Sequence, residues 1–256
     1  MVNPELENYV KALPQEQREG ALRALELEAQ NRTSAPAAPK LYPLAPRGLF
    51  WSLQGEGHLR GFQMGFVRLA GCSVGCASCD TDYSVAEKVP AEEITRRAFL
   101  EWPHDRDQWV WITGGEPTDH DLGPLLKELR KSGYSTALAT SGARRMIPPV
   151  DWLSVSPHSI EPEKFMQRYG SEIKLVDGLN GMDLEAWAAE WDGKIDYMYR
   201  YVQPLSLPVR ETTDSTTGRA RVYREDPYSL ERCLAFLRRH PRWALSRQDH
   251  HHWGVS

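Results

Sequence analysis

The sequence predicts an α/β fold built on a parallel sheet, and three observations carry that prediction. From about residue 90 to residue 203, apolar β-prone runs alternate with amphipathic helical stretches, the order that yields a parallel sheet with right-handed crossovers. Glycines stand directly after one such strand, in Thr113-Gly114-Gly115-Glu116-Pro117, where open α/β folds bind ligands at the carboxyl end of the sheet. Three of the four cysteines fall in a single stretch, Gly71 to Thr81, between an early strand and the first helix of that alternation.

The elements follow in order. Pro4 to Asn31 is charged, with Leu6, Val10 and Leu13, then Leu22, Leu25 and Ala29, at helical spacing and Pro14 placed to open a second helix. Two short amphipathic helices or a solvated extension both fit, and the Ala/Pro-rich Ser34 to Pro39 reads as a semi-rigid linker. Residues 1–46 are therefore expected to form an extension and 47–256 the main domain. Leu49 to Leu53 and Phe62 to Leu69 are strands joined by the tight loop Gln54-Gly55-Glu56-Gly57-His58. Gln54 and Glu56 there offer a hydrogen-bond acceptor and donor set, and Arg68 can clamp a carboxylate in bidentate fashion.

Pro90 to Trp102 reads as a helix with Ile94, Ala98 and Phe99 on one face, and Gln108 to Thr113 as a buried strand. Helix Asp119 to Ser132, strands Tyr134 to Thr140, Asp151 to Ser156 and Glu172 to Val176, helix Asp183 to Trp191 and strand Ile195 to Gln203 complete the alternation. Polar residues close these strands: Thr140 with Ser141, Ser156 with His158, Gln203 with Pro204. Leu205 to Pro227 lacks a period and reads as a mobile loop, whereas Tyr228 to Arg239 is helical, with Leu230, Leu234 and Leu237 inward and Cys233 an ordinary buried thiol. In the tail, from Trp243 to Ser256, a short strand precedes Gln248-Asp249-His250-His251-His252; this run invites metal and purification-tag readings, neither of which is preferred, and His251 and His252 are expected only to decorate the surface.

The cysteines carry the chemistry. Cys72, Cys76 and Cys79 are spaced C-x3-C-x2-C, so one short loop can curl their thiolates around one metal centre, with Gly71 and Gly75 permitting the tight turns. Three ligands on a four-iron, four-sulfur cluster leave one iron open for a substrate or cofactor. A zinc site and plain structural cysteines are the alternatives; zinc would want a fourth Cys or His nearby, and His58 and His104 are the nearest histidines. Glu116, following the two glycines, can pair with an ammonium.

Charge and composition bound the partners. A net charge of -4 and a pI near 6.1 give no basic field for nucleic acid or an anionic membrane. No apolar run approaches the ~18 residues of a membrane span and the N-terminus lacks a signal-peptide pattern, so the expectation is a soluble, cytoplasmic protein.

The cysteine loop resembles that of the radical S-adenosylmethionine (SAM) enzymes. Phe50-Trp51-Ser52-Leu53-Gln54-Gly55-Glu56-Gly57, Phe66-Val67-Arg68-Leu69-Ala70-Gly71-Cys72 and Cys79-Asp80-Thr81 narrow the resemblance to the 7-carboxy-7-deazaguanine synthase family, from about Leu49 to the C-terminus. The resemblance implies a partial (β/α)6 barrel and ring contraction of 6-carboxy-5,6,7,8-tetrahydropterin in deazapurine, queuosine-type, biosynthesis. It implies a 4Fe-4S cluster on Cys72, Cys76 and Cys79, SAM held by Gly114, Gly115, Glu116, Ser141 and Ser156, and Mg2+ at Thr81. Leu53, Gln54, Glu56, Arg68, Thr113, Gln203, Gln248 and His250 become the expected substrate contacts, the last two from a tail folded over the pocket. A reducing electron donor such as a flavodoxin and a homodimer are the expected partners. Ser78 stands where an aromatic is usual in the family, and His158 and His251 where lysines are common. A radical SAM activase of another protein and a non-catalytic iron-sulfur module are the competing functions.

Overall fold

Strand β2, Gln63–Leu69, carries apolar residues on both faces, and the sheet grows from it in both directions. The computed structural model describes residues 39–76, 79, 81–103, 108–146, 149–212 and 220–254; the expected N-terminal helices lie outside them. On one side of β2 the strands β4 (Trp109–Gly114), β5 (Ser135–Thr140), β6 (Trp152–Val155), β7 (Tyr169–Val176), β8 (Asp196–Gln203) and β11 (Ala244–Leu245) follow in parallel. On the other side β1 (Leu41–Leu53) runs antiparallel to both β2 and the edge strand β3 (Glu87–Pro90). Six parallel strands, β2 and β4 to β8, thus lie in chain order, which is the partial (β/α)6 arrangement expected.

Helices α1 (Ala91–Glu101), α2 (Gly123–Lys131), α3 (Leu184–Trp191) and α4 (Pro227–Arg239) supply the crossovers, and α5 (Asp249–Trp253) closes the chain. Ile94 and Ala98 of α1, Leu125, Leu126 and Leu129 of α2, and Trp187 of α3 are buried in one cluster with Val67, Ile112, Leu138, Val155, Ile173 and Val202 of the strands. This is the outer core. Among the described residues the β5–β6 crossover holds no helix and the β6–β7 crossover only a single turn, Pro162–Lys164.

The structure departs from the sequence reading in four places. β1 starts at Leu41, earlier than Leu49, because a bulge between Leu44 and Leu49 lets a Pro-interrupted segment pair with β2 and β3. The helix expected from Asp119 begins at Gly123, after a separate turn at Pro117–Asp119; the Asp121 carboxylate accepts the Gly123 amide and holds the break. The loop expected over Leu205 to Pro227 contains the hairpin β9 (Ser206–Thr212) and β10 (Ala220–Glu225), whose register shift between Val222 and Tyr223 hides the strand alternation. In α4 the buried stripe is Ser229, Cys233 and Phe236, one step round from the expected leucines, and Leu234 is exposed.

Among the described residues no helix is long and apolar enough to cross a membrane.

Candidate active site

The cysteine loop leaves the carboxyl end of β2 and is pinned to the end of β4. Gly115 donates its amide to the Leu69 carbonyl at 2.9 Å, and Glu116 donates to the Gly71 carbonyl at 3.1 Å. These amides, expected to stand open to a ligand, instead fasten the loop. The approach is close enough that a Cβ on Gly115 would overlap the Gly71 carbonyl and lie 3.1 Å from the Cys72 Cβ. Ser73 adds a second tie, donating its amide (2.8 Å) and hydroxyl (2.7 Å) to Asp119, which also pairs with Arg144.

Cys72, Cys76 and Cys79 are half-buried in this loop, and none of them is in a disulfide. Cys76 Sγ lies 2.8 Å from His158 Nδ1, and the Asn180 amide donates to it at 3.5 Å. Burial pushes the Cys76 thiol up, partly offset by Asn180, and burial pushes the His158 imidazole down. Among the described residues no three His, Cys, Asp or Glu side chains form a group that could hold a metal ion. Cys79 donates to the carbonyl of Thr81, whose side chain is half-buried.

Glu116 is 2 % exposed. Its carboxylate accepts from the Thr118 amide (3.0 Å) and hydroxyl (2.7 Å), the Thr140 hydroxyl (2.6 Å), and the Ser141 amide (2.8 Å) and hydroxyl (2.5 Å). Neutral donors from the ends of β4 and β5 therefore fix a buried carboxylate in one orientation, with no cation paired to it among the described residues. Ser141 serves this cage, and Ser156 donates its hydroxyl to the Lys174 carbonyl at 3.0 Å.

The other face of the sheet has its own cluster, Met64, Phe66, Trp111 and Ala137, with Phe50, Trp109, Ala139 and Trp152 against it and no helical residue among them. Side chains alternate along a strand, so Arg68 and Thr113, paired in register, continue this inner face toward the carboxyl ends. The register carries it on through Ala139 with Ser154, Ser154 with Glu172, and Lys174 with Tyr201, to Val176 with Gln203. Arg68 lies over the Phe50 ring at 4.8 Å. The inner face is thus aromatic at one end and polar toward the other.

The loop 54–62 follows Leu53, the last residue of β1, and reaches across this face to β7 and β8. Gln54 is buried and anchors the loop: its amide donates to Phe62, its carbonyl accepts from Gly61, and its side-chain oxygen accepts from the Glu56 amide at 3.1 Å. Glu56 pairs with Lys174. The His58 amide donates to Glu172 at 2.7 Å, and the His58 ring stacks on Tyr199 with centroids 3.7 Å apart. The tail lies on the same loop. Ser246 accepts from the Gly57 amide (3.0 Å) and donates to the Gln203 side chain (2.8 Å), and the Asp249 amide donates to the Gly55 carbonyl (3.0 Å). Gln248 stands at the N-cap position of α5 without a side-chain capping bond, and the ring of His250 fills the space a Gly55 side chain would need. His251 packs on Tyr223 at 4.5 Å, so it joins the tail to the hairpin rather than standing on the surface.

No family model matches the chain. Curated relatives do. The 7-carboxy-7-deazaguanine synthase of Synechocystis sp. is 30% identical over 219 residues, covering 84% of this chain and 93% of that one. The chain belongs to the 7-carboxy-7-deazaguanine synthase family. The Escherichia coli K12 relative of the same name is 29% identical over 246 residues, 84% of this chain and 99% of its own. The crystal structure of QueE from Escherichia coli superposes with a TM-score of 0.60 at 26% identity, covering 81% of this chain and 94% of that one. A member of this family is an enzyme, a radical SAM lyase, and the partial barrel is the fold it shares with that structure.

Sequence reasoning missed Lys174, Glu172, Ser246 and Thr118. The only signal for the first two was the Glu-x-Lys pair inside an apolar strand, a buried charge pattern that needs partners. Ser246 and Thr118 gave none.

Proposed function

We propose that this chain contracts the ring of 6-carboxy-5,6,7,8-tetrahydropterin to 7-carboxy-7-deazaguanine with loss of ammonia, the reaction of its family. The observation that carries the reading is the identity over nearly the full length of the named synthases. Three cysteines on one loop, none of them in a disulfide, suit a 4Fe-4S cluster with an open iron. A cluster with SAM bound there would supply one-electron and radical chemistry toward C6 of the pterin. Cys72, Cys76 and Cys79 would hold the cluster. Glu116 orients the SAM ammonium, for which a buried carboxylate caged only by neutral donors is the right counter-charge. Gly114, Gly115, Ser141 and Ser156 shape that end of the pocket: the glycines set the loop, Ser141 aims Glu116, and Ser156 fixes the β6 end against β7.

On the substrate side Arg68 meets the carboxylate, and Thr113 beside it on the inner face offers a hydroxyl. Gln54 and Glu56, with Leu53 leading in, present the loop to the aminopyrimidine edge, and Gln203, Gln248 and His250 close the pocket with the tail. Thr81 would offer the protein's oxygen to a Mg2+ ion, which suits a hard cation that keeps most of its water. A one-electron donor such as a flavodoxin and a homodimer complete the reading, the dimer being the commonest closed assembly.

The test is anaerobic incubation of reconstituted protein with SAM, reductant, Mg2+ and 6-carboxytetrahydropterin, followed by mass spectrometry. Formation of 7-carboxy-7-deazaguanine supports the reading. Release of 5'-deoxyadenosine without it retains SAM cleavage and sinks the pterin substrate, and omitting Mg2+ from the same reaction tests the metal.

A further inference from the structure

Lys174 lies in the middle of the polar inner face and is 5 % exposed. A buried ammonium is unfavourable unless it is paired, and this one is paired with the carboxylate of Glu56, in the loop that crosses the face. Two residues earlier on the same strand, and so on the same face, Glu172 is 0 % exposed and accepts the amide of His58 at 2.7 Å. Gly57, between the two gripped residues, has no room for a side chain, because a Cβ there would overlap the Glu172 carboxylate. β7 therefore grips the loop on both sides of Gly57. The Lys174 carbonyl also takes the Ser156 hydroxyl, so the same residue joins the end of β6 to the loop.

We propose that Lys174 is a positioning residue for substrate recognition. Its ammonium holds the Glu56 carboxylate toward the barrel interior before the substrate arrives, so Glu56 meets the N–H donors of an aminopyrimidine without reorganising. The inference rests on the ring-contraction reading, in which Glu56 contacts the pterin. Lys174 itself need not touch the substrate, and its effect passes through Glu56.

The experiment compares wild type, Lys174→Met, Lys174→Arg, Glu56→Gln and the Lys174→Met/Glu56→Gln double variant as reconstituted holoenzymes, after cluster absorbance and thermal unfolding have been recorded for each. Product and 5'-deoxyadenosine are measured in the same reactions. Lys174→Met raises KM for the pterin about 30-fold, the scale expected when one partner of a buried charge pair is removed. It also releases more 5'-deoxyadenosine per product, and Lys174→Arg restores most of the coupling. The double variant is no worse than Glu56→Gln alone, since a residue acting through Glu56 adds nothing once Glu56 is neutral.

A KM for Lys174→Met close to that of wild type, or a double variant in which the two penalties add, overturns the proposal. Should Lys174→Met fail to load its cluster, the comparison of the double variant with Glu56→Gln decides alone, because neither leaves a carboxylate buried without its partner. Wild-type protein that makes no 7-carboxy-7-deazaguanine sinks the functional reading itself, an outcome distinct from wild-type turnover with an unaffected Lys174→Met.

Discussion

Gly115 lies so close to Gly71 that a single added methyl group would overlap the Gly71 carbonyl oxygen. The contact fastens the loop bearing Cys72, Cys76 and Cys79 to the end of β4. Gly115→Ala must push the loop away or distort β4, at the ~1–3 kcal/mol typical of overpacking. The expected outcome is a folded protein that loses most of its reconstituted iron and sulfide. Full iron content by metal analysis would show that the loop is not set by this contact.

Glu116 offers a cleaner test of electrostatics than of shape. Glu116→Gln keeps the volume, removes the charge, and turns an amide N–H2 toward hydroxyls and amides that now donate to the carboxylate. A hydrogen bond to a charged group contributes ~1.5–3 kcal/mol, so SAM affinity should fall about tenfold or more. Calorimetry of SAM binding to the cluster-loaded variant is the readout; unchanged affinity would remove Glu116 from the ammonium site.

Reactivity separates the four thiols. Cys233 is 0 % exposed on α4, and burial pushes its thiol up to about 12. In metal-free protein near pH 8, an alkylating reagent should label Cys72, Cys76 and Cys79 and spare Cys233 until the chain is unfolded. Mass spectrometry of the labelled peptides reports this directly. Early labelling of Cys233 would mean that α4 does not pack as described.

The parallel alternation was legible because outer-face residues such as Ile112, Leu138 and Ile173 are uniformly apolar and meet helices with a clear stripe. The cysteine loop and Glu116 were legible because their spacing is short and local. Lys174 and Glu172 were not. Charges that alternate along a strand ordinarily mark a solvent face, and only the sheet's neighbours reveal that this face is covered by a loop more than a hundred residues away in sequence. The β9–β10 hairpin escaped for a different reason, since its bulge breaks the two-residue period at the point where the pattern would be read.

Glu172 props the loop 54–62 from β7, and its loss should be felt there before it is felt in the fold. Its carboxylate accepts from the His58 amide and from the Ser154 hydroxyl at 2.6 Å. Glu172→Ala leaves both donors unsatisfied at ~1–3 kcal/mol each and opens a cavity beneath Gly57. A lowered melting temperature should accompany faster amide exchange at Gly57 and His58, with exchange in β4 and β5 unchanged. Uniformly faster exchange across the sheet would instead make Glu172 a general core residue.

Asp151 ties the start of β6 to β5 and gives the fold a measurable acid limb. Burial alone would raise its carboxyl, but the Thr136 amide and hydroxyl, each donating at 2.8 Å, hold it below the ordinary 3.8. A carboxylate depressed in the folded state adds stability that is complete above its unfolded value and fades as pH falls through the folded one. Asp151→Asn should therefore cost about 1 kcal/mol at pH 7, where the partly exposed pair is screened by solvent. Below pH 3.8 the denaturation midpoints of wild type and variant should converge. Urea titrations at a series of pH values test this. A difference that stays constant into the acid range would show that the Thr136 bonds do not depend on the charge of Asp151, and that β5 and β6 are joined by their ladder alone.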